Sequence, residues 1–421
     1  MYIDGLHIYR IMLLRETCVH IHGEWPRFLD ILENMVGALR THKVFIIYIL
    51  GFLYSLHFTL PIYINSSFLS LFATEYYVGV IYSISSILTI LTFTFIGPFL
   101  NRYGNYKTAF IFFLIELICL IGLALNPSSL VTTVLFVISF VSVAILTFSI
   151  DVFLESYSSY SSVGKTRGIF LTYANLAWLI APLAVSFIMT DSDYWKVYLA
   201  AAVLVVPILY IMSVTLRDFE DPEYEKIPFV KTFNQIKTDK NIYGIFIISF
   251  LLQFFFAWMV IYTPIYLHEY IKFEWKEIGL MLSIVLLPFV ITEIPLGKLA
   301  DTRWGEREMM SVGFLIIALS TALVSFVDSK SFLLWAAILL VTRVGASIVE
   351  VMSETYFFKK VDTSKVHLLS LFRTMRPFAY LLAPLVAISL FNFMEIKYIF
   401  VILGLIMFYG LRFSLFLDDT K

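Results

Sequence analysis

Along the chain, apolar side chains run in long unbroken stretches set apart by short polar punctuation. Neither the alternation of a half-buried strand nor the narrow stripe of a surface helix interrupts these runs. Each therefore reads as a helix that is apolar all round. About 20 such residues cross the hydrocarbon core of a bilayer. The pattern predicts twelve spans: 44–65, 77–97, 108–126, 130–154, 167–190, 195–216, 242–267, 276–296, 308–327, 331–357, 371–392 and 396–416. Most connections are short. The exception is 217–241, which opens Arg217-Asp218-Phe219-Glu220-Asp221-Pro222-Glu223 and is charged and proline-bearing. The expected division is an N-terminal extension 1–43, a six-span half 44–216, a linker 217–241, a second six-span half 242–416 and a tail 417–421.

The halves also repeat one another. Asp151-x3-Glu155-Ser156-Tyr157 closes the fourth span and returns 199 residues later, in the tenth, as Glu350-x3-Glu354-Thr355-Tyr356. Ala177-x3-Ala181-Pro182 in the fifth span returns after 202 residues as Ala379-x3-Ala383-Pro384 in the eleventh. Gly97-Pro98-Phe99-Leu100-Asn101-Arg102-Tyr103-Gly104-Asn105-Tyr106-Lys107 lies between the second and third spans. Gly297-Lys298-Leu299-Ala300-Asp301-Thr302-Arg303-Trp304-Gly305-Glu306-Arg307 lies between the eighth and ninth, the leading glycines 200 residues apart. Three local patterns at one interval indicate that the halves share a fold.

This pair of loops resembles the G-x-x-x-D-x-x-G-[RK] loop signature of the major facilitator superfamily, which recurs in both halves of that fold. The second copy carries glycine, aspartate, glycine and basic residues, with one extra residue between Asp301 and Gly305. In the first, Asn101 stands where the family usually has aspartate. The resemblance implies an all-α membrane protein of 12 transmembrane helices in two pseudo-symmetric six-helix halves, related by an axis along the membrane normal.

Composition agrees. With 60 % hydrophobic and 14 % charged residues, and a mean hydropathy of +0.87, the chain cannot cover a globule with a wetted surface. The lipid bilayer is its solvent. A net charge of −1 argues against a nucleic-acid partner. Cys18 and Cys119 are too few and too far apart for a disulfide framework or a cysteine metal site, and no cofactor or metal is expected. Basic residues set the orientation. Arg40, Lys43, Arg102, Lys107, Lys165, Arg167, Lys226, Lys231, Lys237, Arg303, Arg307, Lys359, Lys360 and Arg412 fall on one side. The other side holds Lys196, Lys272, Lys276, Lys330 and Lys397. The expectation is a multi-pass protein of the plasma (inner) membrane, a monomer with both termini cytoplasmic. Leu6–Arg15 is too short to span and lacks a signal-peptide pattern. It reads either as a membrane-surface helix or as a peripheral extension ahead of Met35.

Charges within spans are costly and tend to face a cavity or a partner. Arg343 falls near the middle of the tenth span. Arg343, Ser347, Glu350 and Glu354 recur at helical spacing on one face, as a cavity-lining ladder or as ion pairs to Arg373 or Arg376. Thr147, Asp151 and Glu155 form a similar row in the fourth span. His57, a candidate proton carrier or a hydrogen-bonded interior residue, lies in the first span. Gln253, with Trp258 and Tyr262 beyond it, lies in the seventh. The resemblance puts spans 1, 4, 7 and 10 around a central cavity, with His57, Thr147, Gln253, Trp258 and Arg343 as lining. Gly97, Asn101, Arg102, Gly104 and Lys107 with Asp151 and Glu155 read as a cytoplasmic gate of ion pairs. So do Gly297, Asp301, Arg303, Gly305 and Arg307 with Glu350 and Glu354. Static anchoring of loops is the alternative. Glu116 and Glu293 have no evident partner.

The function expected is secondary active transport by alternating access, coupled to protons or another ion, with a small-molecule substrate. Ala177-x3-Ala181-Pro182 resembles a glycine–proline motif of drug–proton antiporters, with alanines for glycines. That and the aromatic content (41 Phe, 25 Tyr) favour export of small amphiphilic compounds. Proton-coupled uptake of a sugar, nucleoside or anionic metabolite is the alternative, Arg343 suiting an anion. From another class comes an integral-membrane enzyme acting on lipid through a carboxylate pair. The repeated acid pairs and the lack of nucleotide-loop, zinc-helix or nucleophile-elbow signatures speak against an enzyme. A transporter-like sensor without flux is a third reading.

Overall fold

The structure, a computed structural model, describes residues 25–125, 128–157, 163–189, 193–222, 224, 236–292, 305–360 and 366–418. Among these, twelve long helices fall on the predicted spans one for one. The first half holds α1 Trp25–Ile62, α2 Glu75–Tyr103, α3 Asn105–Leu125, α4 Ser129–Tyr157, α5 Val163–Ile188 and α6 Tyr194–Thr215. The second holds α7 Lys240–Ile265, α8 Trp275–Ile291, α9 Glu306–Val324, α10 Phe332–Lys360, α11 Val366–Phe391 and α12 Ile399–Phe416. A short helix, Asn65–Ser70, carries the first span on beyond α1. Eleven spans are long and apolar enough to cross a membrane. The described part of α8 is 17 residues, and 293–304 lie outside the described residues.

Two boundaries differ from the sequence reading. First, α1 reaches back to Trp25, so part of the expected extension is continuous with the first span, while Leu6–Arg15 lies outside the described residues. Second, Gly97–Tyr103 is helix rather than loop. Pro98 removes one backbone hydrogen bond, too little to end a run that stays apolar through Leu100. The chain reverses at Gly104 alone, whose φ of +79° excludes most side chains.

The halves repeat one packing pattern. In the first, α1 packs on α5 and α6, α3 on α4 and α6, and α2 on α4. In the second, α7 packs on α11 and α12, α9 on α10 and α12, and α8 on α10. The duplicated tyrosines do equivalent work. Tyr157 accepts from Lys43 of α1 at 3.3 Å, and Tyr356 donates to Asn241 of α7 at 3.0 Å. Each ties the fourth helix of its half to the first. Outward-facing Phe95, Ile118, Phe187, Leu319 and Leu405 are exposed, as lipid-facing helices require.

Between the halves, α5 lies against α8 and α2 against α11. The alanine–proline pattern belongs to this seam. Ala177, Ala181, Ala379 and Ala383 are fully buried. A Cβ on Gly279 of α8 would stand 2.5 Å from the Pro182 carbonyl of α5, so backbones nearly touch there. At the end remote from the linker, Tyr270 donates to Glu75 at 2.9 Å and Tyr194 meets the Trp275 ring edge-on. Toward the linker, Thr147, Glu155, Arg373 and Arg376 are exposed. The halves thus meet closely at the remote end, while polar and charged side chains of α4 and α11 are exposed nearer the linker.

Candidate functional site

Arg343 lies in the middle of α10, where α1, α7 and α11 converge. It is 4 % exposed. Its guanidinium stands over Phe255 at 5.4 Å and Phe256 at 5.7 Å, and its electrostatic neighbours are Tyr63, Tyr380 and Glu350. Among the described residues it makes no hydrogen bond or ion pair. Burying an unpaired ion costs several kcal/mol, and ring faces in a dry site recover about 2 kcal/mol each at best. A second cation sits close by: Arg376 of α11 lies over Trp178 of α5 at 5.8 Å and over Tyr380 at 5.9 Å. Tyr63 is an electrostatic neighbour of both arginines. Two guanidinium groups therefore share an aromatic chamber between the halves.

The other predicted lining residues divide. Thr147 is exposed, its hydroxyl 2.5 Å from the Tyr54 hydroxyl and donating to the Val143 carbonyl. Gln253 is half-buried. His57 is fully buried inside the first half, ringed by Tyr54, Phe58 and Phe113, its Nδ1 2.6 Å from the Tyr54 carbonyl. Trp258 is fully buried between Phe254 and Tyr262. Ser347 faces α8, 3.1 Å from the Thr292 hydroxyl. Glu116 accepts from Ser139 of α4 at 2.8 Å, which supplies the partner that the sequence did not name.

The expected gate pairs are arranged differently where they are described. Glu354 takes Arg373 in a two-pronged pair, 2.6 and 3.1 Å, which joins α10 to α11 within one half. Arg307 pairs with its neighbour Glu308 at 2.5 Å. Arg102 lies over Tyr103, while Lys107 and Glu155 are exposed, and no ion pair joins these two basic residues to Glu155. Gly305 is the N-cap of α9, and Gly97 lies inside α2. Gly297, Asp301, Arg303 and Glu293 lie outside the described residues.

Three groups escaped the sequence reading. Glu306 is 1 % exposed and forms an ion pair with Lys359 of α10. Asp221 of the linker accepts from the Asn105 backbone, and Asn101 exchanges hydrogen bonds with the Tyr224 backbone at 3.0 and 3.2 Å. Trp178 is the third: Arg376, which the sequence offered as an ion-pair partner for α10, lies over its ring.

Twelve helices in two like halves around a polar, aromatic chamber describe a membrane carrier. The Major Facilitator Superfamily profile matches residues 44–277 and 276–421, and the chain belongs to that superfamily. It is a multi-pass secondary transporter with a small-molecule substrate. The nucleoside transporter NupG is similar in structure, at 13 % identity over 89 % of this chain and 100 % of that one, with a TM-score of 0.72. So is a POT family transporter in complex with a thioalcohol conjugated peptide, at 12 % identity, 88 % and 95 % coverage and a TM-score of 0.70. A bacterial homologue of the human lysosomal transporter Spinster, inward-facing and unoccupied, gives 11 % identity, 90 % and 93 % coverage and a TM-score of 0.67. At these identities the likeness concerns the fold. No curated protein matches the sequence.

Proposed function

We propose that the protein imports a small polar solute by alternating access, driven by protons, with the linker face in the cytoplasm. The observation that carries this reading is the asymmetry between the two ends: Tyr270 with Glu75 and Tyr194 with Trp275 join the halves at the remote end, while Thr147 and Arg376 are exposed toward the linker. One such state and its opposite, exchanged by rocking the halves, suffice for transport. The bias of basic residues toward the linker side supports the orientation. Export of amphiphiles rested on Ala177-x3-Ala181-Pro182 and on the aromatic content; the first lies in a packing seam here, and the second does not distinguish an amphiphile from a flat polar solute. A chamber holding two arginines suits a polar solute better. The nucleoside carried by NupG makes nucleosides one class to try.

The test is flux in proteoliposomes under an imposed pH gradient. Labelled uridine, glucose, benzoate and a lipophilic dye, ethidium, would be compared. Gradient-dependent accumulation of any of the first three supports the reading. Movement of ethidium alone restores export, and well-folded protein that moves none of them contradicts uptake.

A further inference from the structure

We infer that the central chamber is a binding site for an organic anion with a flat, unsaturated body, an inference that rests on the transporter reading above. The argument begins with charge. Arg343 is nine-tenths buried and has no hydrogen bond or ion pair among the described residues. The one carboxylate among its electrostatic neighbours is Glu350, seven residues and about 10 Å further along the helix. Glu354, one turn beyond, is held by Arg373. Of the two acids on this face of α10, Glu354 is thus engaged by Arg373 and Glu350 lies two turns from Arg343, while Arg376 adds a second positive charge.

Shape adds the second half. Arg343 is walled by the faces of Phe255 and Phe256, and Arg376 lies flat on Trp178 and Tyr380. Rings fixed in this way leave the guanidinium N–H groups of Arg343, and those of Arg376 not shared with the Tyr380 hydroxyl, for an oxyanion and offer a π-face to whatever the oxyanion is attached to. The Tyr63 hydroxyl, a neighbour of both arginines, can donate a further hydrogen bond. A carboxylate or a phosphate monoester satisfies this chemistry equally. Because Arg376 and Trp178 come from opposite halves, the same anion would touch both halves and report on their closure.

The experiment is thermal unfolding of the purified full chain with four probes of similar size: benzoate, phenyl phosphate, benzamide and benzylamine. Benzoate or phenyl phosphate should raise the unfolding midpoint, and the stronger of the two identifies the oxyanion. Benzamide and benzylamine should leave it unchanged. Arg343→Gln should weaken the apparent affinity for the effective anion at least tenfold. The ligand-free midpoint of this variant should equal or exceed that of the wild type, because an unpaired buried charge has gone. Arg376→Gln, at an exposed position, gives a second variant should the first not fold, with the same direction of effect. Stabilisation by benzamide equal to that by benzoate overturns the inference. So does wild-type anion affinity in both variants, or the failure of both anions. Gradient-driven flux of an uncharged solute with no anion binding would sink this inference alone. Anion binding without flux of any solute would sink the transporter reading and leave the site.

Discussion

Asp221 accepts the backbone N–H of Asn105 at 2.6 Å, so a linker carboxylate caps the first turn of α3. The same oxygen receives the Tyr224 hydroxyl at 2.7 Å, and Asn101 grips the Tyr224 backbone from α2. The linker between the halves is thereby fastened to the turn at Gly104, and a Cβ there would stand 2.6 Å from the Asp221 carboxylate. A cap of this kind is worth about 1 kcal/mol, and a negative charge at a helix N-terminus adds a few tenths.

Asp221→Ala should therefore lower the unfolding midpoint of the purified protein by a few degrees, at about 1 kcal/mol. Asp221→Asn should retain part of that. Equal midpoints for wild type and Asp221→Ala would show that the linker contact carries no energy.

The ion pair of Glu306 with Lys359 is asymmetric, the acid buried and the base 40 % exposed. Lys359→Ala strands the buried carboxylate and should cost roughly 1–3 kcal/mol, the lower end reflecting solvent around the lysine. Adding Glu306→Gln should recover most of the loss. Additive losses in the double variant, read by thermal unfolding, would contradict this account.

At the α5–α8 seam, Gly279→Val would push a side chain into the Pro182 carbonyl. The contact joins two halves that must separate, so the variant should stay folded but disfavour the state sealed at the remote end. Gly313→Val places its bulk against Val349 and the Gly345 carbonyl inside one half, and should instead reduce the yield of folded protein. The two outcomes separate by comparing purified yield with accessibility of a cysteine at Glu75→Cys to a membrane-impermeant thiol reagent. Equal accessibility in wild-type and Gly279→Val backgrounds would count against the seam's role.

How much of this was legible depended on range. The spans were readable because lipid demands about 20 apolar residues whatever the tertiary context. The repeat was readable because Tyr157 and Tyr356, and the paired alanines, are local patterns that recur. Arg343 was found because a charge at mid-span stands out against its neighbours. Arg373 was offered as a partner for the acids of α10 and holds Glu354, but other partners were not found: Glu306 meets Lys359 across 53 residues, and Asp221 meets Asn105 across 116. Such pairings are fixed by packing alone. His57 and Trp258 were assigned to the lining by the resemblance, which names spans and not the rotation of each about its axis; both are fully buried, Phe113 beside His57 and Phe254 beside Trp258. The first turn was drawn too long because Gly97 and Pro98 look like breakers, while the backbone reverses only at Gly104.

Flux with the remote end locked addresses alternating access most directly. In a Cys18→Ser, Cys119→Ser background, Glu75→Cys and Tyr270→Cys replace a hydrogen-bonded pair that joins the halves at the sealed end. Bridging the two thiols with a bis-methanethiosulfonate long enough to fill the space of the two replaced side chains should stop gradient-driven uptake of the transported solute into proteoliposomes, and reduction, which releases the bridge, should restore it. Undiminished uptake with the cross-link complete would mean that the halves need not part there, and the rocking account would be wrong.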